Sequence, residues 1–297
     1  MAGVSGGNLA AAVSNAGALG LVGGGYGDSS WLRQELSVCR EETGRPWGVG
    51  LITWAATPET VELALDYEPH AFMLSFGDPR PYAPAIKEAG CTLICQVQDT
   101  EGALLASSAG ADMIVAQGTE AGGHGAIRST LPLVPAVVDA VEPTPVLAAG
   151  GIADGRGLAA ALMLGAQGAL IGTRFYAAAE ALGHPRAKER IAESKGEQTH
   201  RTRVFDLVRG HSWPAPYTGR ALRNEFMQRW DTRGEELSSK LDTEMPRFTA
   251  AQEKGDFETA MVWAGEAIDL ISDVPQAADI VRRMGNEAED CLPGDGA

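Results

Sequence analysis

Short apolar runs recur through the first part of the chain, and each is followed by glycine-rich sequence and then by a stretch with helical spacing. Seven such runs lie between Ala18 and Phe175: ALGLVGGG, WGVGLIT, AFMLSFG, CTLICQV, DMIVAQG, PVLAAGG and GALIGTRF. Their apolar residues are nearly continuous, which is typical of parallel strands that helices cover. The repeated order of strand and helix therefore predicts an α/β fold built from parallel βαβ units.

Two architectures use such units, the doubly wound open sheet and the eight-stranded barrel. An open sheet usually has fewer regular units and one glycine fingerprint near its start, whereas here every run ends in glycine or a small residue. The opening MAGVSG has the composition of a strand end and its following turn. We therefore expect a (β/α)8 TIM barrel with its first strand largely missing at the N-terminus and with all strand ends around one site.

The character of the sequence changes after about residue 180, where charged stretches with helical spacing replace the apolar runs. Examples are HPRAKERIAESKGEQ, RALRNEFMQRWDTRGEELSSKL and PQAADIVRRMGNEAEDC. Helices of this kind bury one apolar stripe against a neighbouring layer. We therefore expect residues 1–180 to form the barrel and residues 181–297 to form a mainly helical extension packed on it.

The charge of the chain limits its partners. A formal net charge of -15 repels phosphate at long range, so we expect neither a nucleic-acid partner nor an anionic membrane surface. No run of eighteen apolar residues and no basic leader occurs, and the four cysteines form no disulfide or metal-binding pattern. We expect a cytoplasmic protein without a metal that acts on a small molecule. The oligomeric state stays open, with a homodimer as one alternative.

Two consecutive runs deliver glycines at their carboxyl ends. Ala149, Gly150 and Gly151 end one run, and Gly172 and Thr173 end the next, with a helix predicted to start near Gly155 between them. In barrels the loops after strands seven and eight form the usual phosphate site, because glycine lets backbone N–H groups approach an anion and helix N-termini favour negative charge. The pattern predicts a site for a cofactor phosphate.

The segment AQGTEAGGHG follows another run, so its loop should overlook the same mouth. Gly122 and Gly123 allow the backbone to lie flat beside a planar ring, and His124 then projects above that ring. Histidine can exchange a proton near neutral pH, so His124 is the candidate catalytic base. Glu120 is interpreted as a positioning carboxylate that binds loop amides or a helix N-terminus. We interpret four other histidines as surface or structural groups: His70, His184, His200 and His211.

Together, MAGVSGGNLAAAVSNAGALGLVGGGYGD, FMLSFGDP, AQGTEAGGHG and VLAAGGIADGRGLAAALMLGAQGALIGTRF closely resemble the nitronate monooxygenase family, formerly called 2-nitropropane dioxygenases. The resemblance covers essentially the whole chain, including YTGRALRNEF and VWAGEAIDLI. It implies an FMN-dependent TIM barrel that oxidises alkyl nitronates with molecular oxygen, with the histidine of GGH as catalytic base. It also implies that flavin contacts come from Met1, Ala2, Gly3, Ser75, Gln96, Gln117, Gly122 and Gly123.

The chain departs from the resemblance at two places. Relatives carry an apolar strand ending in Ala-Pro-Met where this chain begins with Met1, which is why most of the first strand is expected to be missing. Some relatives that reduce quinones carry lysine where this chain has Gln96, and a cation near the flavin stabilises its reduced anionic form. The electron donor therefore stays open, and the alternative function is an NAD(P)H-dependent flavin reductase of quinones or enoyl thioesters.

Two other classes of function are less favoured. A barrel that binds a phosphorylated metabolite without flavin commonly needs a lysine or a carboxylate pair at strand ends, and none of the seven runs ends in Lys, Asp or Glu. A non-catalytic scaffold would gain nothing from so many glycines at its mouth. Two aromatic residues of the extension, Trp213 and Tyr217, are interpreted either as a lid over the flavin or as simple packing.

Overall fold

The computed structural model describes residues 2–292. The strands are β1 Gly20–Gly25, β2 Trp47–Ile52, β3 Ala71–Ser75, β4 Thr92–Val97, β5 Met113–Gln117, β6 Gly123–Gly125, β7 Val146–Ala149, β8 Ala169–Leu170, β9 Thr199–Thr202 and β10 Thr218–Leu222. The first eight helices are α1 Gly7–Asn15, α2 Ser29–Glu42, α3 Pro58–Leu65, α4 Ala83–Glu88, α5 Thr100–Ser108, α6 Thr130–Val141, α7 Gly155–Met163 and α8 Thr173–Tyr176. The others are α9 Pro185–Glu193, α10 Val204–Val208, α11 Glu225–Trp230, α12 Gly234–Ser238, α13 Leu241–Lys254 and α14 Ala277–Cys291, with 3₁₀ turns at Gly196–Gln198 and Glu266–Leu270.

Seven parallel strands form the main sheet of the described chain, in the order β1-β2-β3-β4-β5-β7-β8. This order follows the chain without a reversal, and a helix lies between each strand and the next. A doubly wound sheet reverses its strand order at a switch point, whereas a barrel does not. The predicted TIM-barrel-like α/β fold is confirmed, and each of the seven apolar runs supplies one strand.

The main core lies between this sheet and its helices. Side chains such as Phe72, Leu93 and Ile114 are completely buried there. The turns that lead from the sheet into α2, α5 and α7 end in aspartates, whose carboxylates accept a backbone N–H of the first turn. Such caps satisfy donors that have no partner inside the helix, so these helices begin directly after the strand ends.

The N-terminal residues lie against β1. The carbonyl oxygen of Ser5 accepts from Gly23 N at 2.8 Å, and that of Val4 accepts from Leu182 N at 2.9 Å. Residues 4–5 therefore bridge β1 and the segment that follows α8, although they form no strand. Within residues 2–292 the main sheet ends at β1 on one side and at β8 on the other.

The rest of the chain packs on the barrel and carries a small second sheet. In this sheet β6 pairs antiparallel with β10, and β10 pairs antiparallel with β9. Residues of α1, α8, α9 and α14 share one apolar cluster. The division into residues 1–180 and 181–297 stays a prediction. Among the described helices, none is both long enough and apolar enough to cross a membrane.

The contact of α1 with the start of β1 gives a test of the fold. A Cβ on Gly20 would lie 1.9 Å from the carbonyl oxygen of Ala10, and neither backbone can shift cheaply. We expect Gly20→Ala to lower the free energy of unfolding by about 1–3 kcal/mol, which is the usual cost of overpacking a core. Gly44→Ala is the matched control, since its Cβ would meet no atom within 4 Å and surface changes stay within about 0.5 kcal/mol. Equal stability of the two variants in urea unfolding would contradict this packing.

Candidate active site

The carboxyl ends of the strands place several predicted residues on one rim of the sheet. Ser75 at the end of β3 pairs with Gln96 of β4, and Gln117 at the end of β5 pairs with Ala149 at the end of β7. Ala149 in turn pairs with Leu170 of β8. Because the strands are parallel and in register, these side chains lie at the same end of the barrel, where barrel enzymes carry their sites.

Gln117 connects this rim to the candidate base. Its Nε2 donates to the carbonyl oxygen of His124 at 3.0 Å, and its Oε1 accepts from Gln98 Nε2 at 2.9 Å and from Gln96 Nε2 at 3.3 Å. The amide is buried, so these partners fix its orientation. Gln98, which the sequence analysis missed, therefore holds Gln117 and through it the backbone at His124.

The predicted phosphate loops lie against the loop that follows β5. Gly150 and Gly151 have left-handed backbones, with φ of +98° and +74°, and a Cβ on Gly150 would lie 3.0 Å from Ala121 N. On the other side, a Cβ on Gly122 would lie 2.9 Å from Thr173 Oγ1. The loops after β5, β7 and β8 thus meet in one place, as the sequence predicted. Gly123 has φ +73°, and a Cβ there would meet no atom within 4 Å.

The free backbone donors of these loops fit an anion. Within residues 2–292, no acceptor is hydrogen-bonded to the backbone N–H of Gly151, Gly172 or Thr173. At the N-terminus of α7, by contrast, carboxylates already occupy two donors: Glu287 accepts from Gly155 N and Asp154 accepts from Gly157 N. The structure therefore favours the two glycine turns over the α7 terminus as the place for a phosphate.

His124 lies in β6 and is held by residues far along the chain. Its Nε2 is 2.9 Å from both carboxylate oxygens of Asp206 in α10, and the two side chains are only 9% and 4% exposed. Its ring stacks on Trp213 with the centroids 3.5 Å apart and the planes 4° from parallel. His124 and Trp213 were predicted from the sequence, whereas Asp206 was not.

Burial controls the protonation of His124. Desolvation holds the pKa of the imidazole below its ordinary value of 6.5, and the positive charges of Arg209 and Arg201 act in the same direction. The hydrogen bond and the negative charge of Asp206 oppose this effect without outweighing it. The imidazole is therefore neutral at pH 7 and is able to accept a proton.

An aromatic wall lies beside the imidazole and contacts it through Trp213 and Phe76. We use this name for Tyr26, Trp54, Phe76, Trp213 and Tyr217. Phe76 packs edge-on against both Trp213 and Tyr217, with centroids 5.1 and 5.2 Å apart. Trp213 is buried, and its Nε1 donates to Tyr26 Oη at 2.9 Å. Both of the aromatic residues singled out in the extension thus belong to one apolar cluster beside His124, which limits the access of water to the base.

Two arginines that the sequence analysis missed hold the loop between β5 and β6. Arg201 of β9 and Arg220 of β10 are cross-strand partners, and the Nε of each donates to the carbonyl oxygen of Thr119, at 3.2 and 2.9 Å. Arg220 also pairs with Glu266 at 2.8 Å. Charge-assisted hydrogen bonds of this kind are stronger than neutral ones, so they fix the loop that leads to His124.

Glu120 takes the positioning role that was predicted for it. Both carboxylate oxygens accept from Thr130 N at 3.0 Å, and Oε2 also accepts from Thr130 Oγ1 at 2.8 Å. Thr130 is the first residue of α6, where a negative charge is favourable. The predicted contact with a helix N-terminus is confirmed, and it leaves Glu120 engaged with the protein.

The N-terminal residues lie beside the end of β1. Ala2 contacts the strand where it ends, since a Cβ on Gly25 would lie 2.5 Å from Ala2 Cβ, and Gly3 has φ +68°. Met1, the other predicted flavin contact of this segment, lies outside the described residues. Ala2 and Gly3 are thus placed at the carboxyl end of β1, the end of the sheet that carries the other predicted contacts.

Comparison with known proteins identifies the family. The family described as nitronate monooxygenase matches residues 1–59 and 52–287. The chain belongs to the nitronate monooxygenase family. The nitronate monooxygenase of Neurospora crassa is 33% identical, with 97% of this chain and 87% of that protein covered. A probable nitronate monooxygenase of Staphylococcus saprophyticus is 32% identical over 91% of this chain and 88% of its own length. Membership makes the chain a flavin-dependent oxidoreductase.

Solved structures of similar proteins agree with the fold. FabK from Thermotoga maritima superposes with a TM-score of 0.87 at 32% identity, covering 98% of this chain and 91% of that one. A nitroalkane oxidase from Streptomyces ansochromogenes superposes with a TM-score of 0.85 at 27% identity, covering 98% and 94%. Each of these superpositions therefore covers both the barrel and the extension.

The buried imidazole predicts a dependence of stability on pH. Since the pKa of His124 is lowered on folding from 6.5, the unfolded chain binds more protons below that pH. Its contribution to stability is therefore complete above pH 6.5 and is lost as the pH falls through that value towards the folded-state pKa. Urea unfolding between about pH 8 and pH 5 measures this slope. We expect His124→Gln to flatten it, and an unchanged slope in that variant would contradict the burial argument.

Proposed function

We propose that this protein is an FMN-dependent nitronate monooxygenase, which oxidises alkyl nitronates with molecular oxygen. The observation that carries the proposal is the placement of a buried, neutral histidine on the same rim as two glycine turns with free backbone donors. Membership in the family and the similarity to proteins named for nitronate and nitroalkane oxidation support it.

The residues present fit FMN. The turns at Gly150–Gly151 and Gly172–Thr173 offer N–H groups without bulky side chains, which suits the phosphate. The remaining proposed contacts lie at the same end of the sheet and suit the flavin ring: Ala2, Gly3, Ser75, Gln96, Gln117, Gly122, Gly123 and Ala149. Bound FMN would supply the acceptor for substrate electrons and their path to oxygen.

The chain itself supplies the base and its surroundings. His124 accepts the α-proton of a neutral nitroalkane, which generates the nitronate at the site, and its neutral state at pH 7 suits it for that role. Gln117 holds the backbone carbonyl of His124, and the two arginines hold the loop before it. The aromatic wall lowers the local polarity and limits the access of water to the base.

We propose that this activity takes place in the cytoplasm. Its partners would be a small nitronate and molecular oxygen, and we expect no nucleic-acid partner. The free thiols of Cys39, Cys91 and Cys95 are buried and unpaired by disulfides, which agrees with a reducing compartment. The alternative function remains an NAD(P)H-dependent flavin reductase of quinones or enoyl thioesters.

Replacement of His124 tests the proposed base. We expect His124→Asn to keep its bound flavin while turnover of a neutral nitroalkane, which must lose its α-proton, falls by roughly 10²- to 10⁴-fold, the range for a general acid or base. His200→Asn is the control, because His200 is half-exposed and contacts Asp231 at the surface. Full activity of His124→Asn with normal flavin content would remove His124 from the chemistry.

Anaerobic mixing separates the two functions. We expect the flavin absorbance of the purified protein to bleach on addition of a nitronate alone, and to return when oxygen is admitted. Addition of NADH or NADPH without nitronate should leave the band unchanged on the same time scale. Rapid bleaching by the nicotinamide, with no response to nitronate, would favour the reductase instead.

A further inference from the structure

The carboxylate of Asp206 has one hydrogen-bond partner within residues 2–292, the Nε2 of His124. Both of its oxygens lie 2.9 Å from that nitrogen, and its side chain is only 4% exposed. A buried carboxylate is costly unless a donor satisfies it. The imidazole is therefore the group that makes the burial of Asp206 tolerable.

This contact determines where the imidazole carries its hydrogen. An ionised carboxylate only accepts hydrogen bonds, whereas a neutral imidazole has one donor nitrogen and one acceptor nitrogen. Nε2 must therefore be the donor, and the lone pair must lie on Nδ1. Among the described residues, no group is hydrogen-bonded to the Nδ1 of His124.

We propose that Asp206 is a positioning residue, which fixes His124 as the Nε2–H tautomer so that Nδ1 is the atom that accepts the proton from the substrate. This inference rests on the proposed function for the identity of that proton. When the proton moves, the α-C–H bond of a neutral nitroalkane breaks, its electron pair is delocalised into the nitro group to give the bound nitronate, and an N–H bond forms at Nδ1. The resulting imidazolium then faces the carboxylate of Asp206 through Nε2–H.

Asp206 is itself held rigidly by its short helix. Its carbonyl oxygen accepts from Arg209 N and His211 N at 3.1 and 2.9 Å, and its neighbour Phe205 is fully buried. The carbonyl oxygen of Trp213 accepts a hydrogen bond from Arg203 Nη2 at 3.0 Å, which fixes the backbone at Trp213. The segment from α10 to Trp213 thus fixes the imidazole of His124 in two ways: Asp206 holds its Nε2 edge, and Trp213 covers one face of the ring.

The other charged groups that shift the pKa of His124 are cations, so none of them can accept the hydrogen bond from its Nε2 in place of Asp206. Arg209 follows α10 and Arg201 lies in β9, and both are cations that lower the pKa of the imidazole. His211 also lies close enough for the two histidines to influence each other. Asp206 is the anion that raises the pKa of His124, so it favours the protonated base once the proton has been transferred.

Nitrogen NMR of the protein labelled with ¹⁵N-histidine tests the tautomer without any substrate. The chain has five histidines, and the spectrum of His124→Asn identifies the signals of His124 by their loss. In the FMN-loaded wild type at neutral pH we expect Nε2 to be protonated and Nδ1 to have the large downfield shift of an unprotonated nitrogen. A proton on Nδ1 instead would overturn the proposal, even if the enzyme oxidises nitronates.

The kinetics of Asp206→Asn test the consequence. We expect kcat to fall by roughly 10²- to 10⁴-fold with little change in KM or flavin content, the range found when a base loses its tautomer or its function. The acid limb of the kcat/KM profile should move to lower pH, because the anion that raises the pKa of His124 is gone. A merely structural role would not shift this limb.

Asp231→Asn is the matched control. Asp231 contacts His200 at 3.1 Å in a histidine–aspartate pair of the same kind at a half-exposed site, so its replacement should leave kcat unchanged. If His124→Asn is inactive and Asp206→Asn is as active as wild type, the positioning role is refuted and the proposed function stands. If both variants keep full activity, His124 is not the base and the positioning role of Asp206 fails, whereas the proposed function fails only if the FMN-loaded wild type oxidises neither nitronate nor nitroalkane.

Discussion

The pairing of β6 with β10 is the constraint on which the candidate site depends. It joins the loop after β5 to the extension, with His124 opposite Gly219. Gly219 leaves room for the pairing, since a Cβ there would lie 2.4 Å from the indole of Trp263. Because β10 also pairs with β9, the same small sheet carries the arginines that hold Thr119. Without this sheet, the loop would have no fixed relation to α10 or to Trp213.

The electrostatics of the site follow from that arrangement. A neutral imidazole, a carboxylate and guanidinium groups are all removed from water near the end of β5. Burial lowers the pKa of Arg201 to about 10, yet its head group remains a cation at pH 7. Its Nε and Nη1 donate mainly to backbone carbonyls, whereas its buried Nη2 has no hydrogen-bond partner among the described residues. The positive charges oppose protonation of His124, and Asp206 partly compensates them. The net effect is that the imidazole is unprotonated at pH 7, while the carboxylate of Asp206 stabilises the imidazolium that forms when a proton is transferred to it.

Much of the barrel was predictable from the sequence, whereas the groups around His124 were not. The seven strands follow from continuous apolar runs, and the meeting of Gly122, Gly150 and Thr173 follows from the rule that parallel strands end on one side. Asp206 and Arg201 lie 82 residues from the groups they contact, His124 and Thr119. No local periodicity indicates such pairs, because antiparallel pairing across a long connection leaves no spacing signal in the chain. TRVFD reads as ordinary helical sequence until β6 is known to lie beside it.

The proposed function requires that the glycine turns and His124 face a single bound flavin. A crystal structure of the protein with FMN and a nitronate analogue measures this most directly. We expect the phosphate between Gly150–Gly151 and Gly172–Thr173, the ring beside Gly122–Gly123, and the analogue between the ring and the imidazole of His124. A phosphate bound at another place, or an imidazole on the far side of the barrel from the flavin, would contradict it.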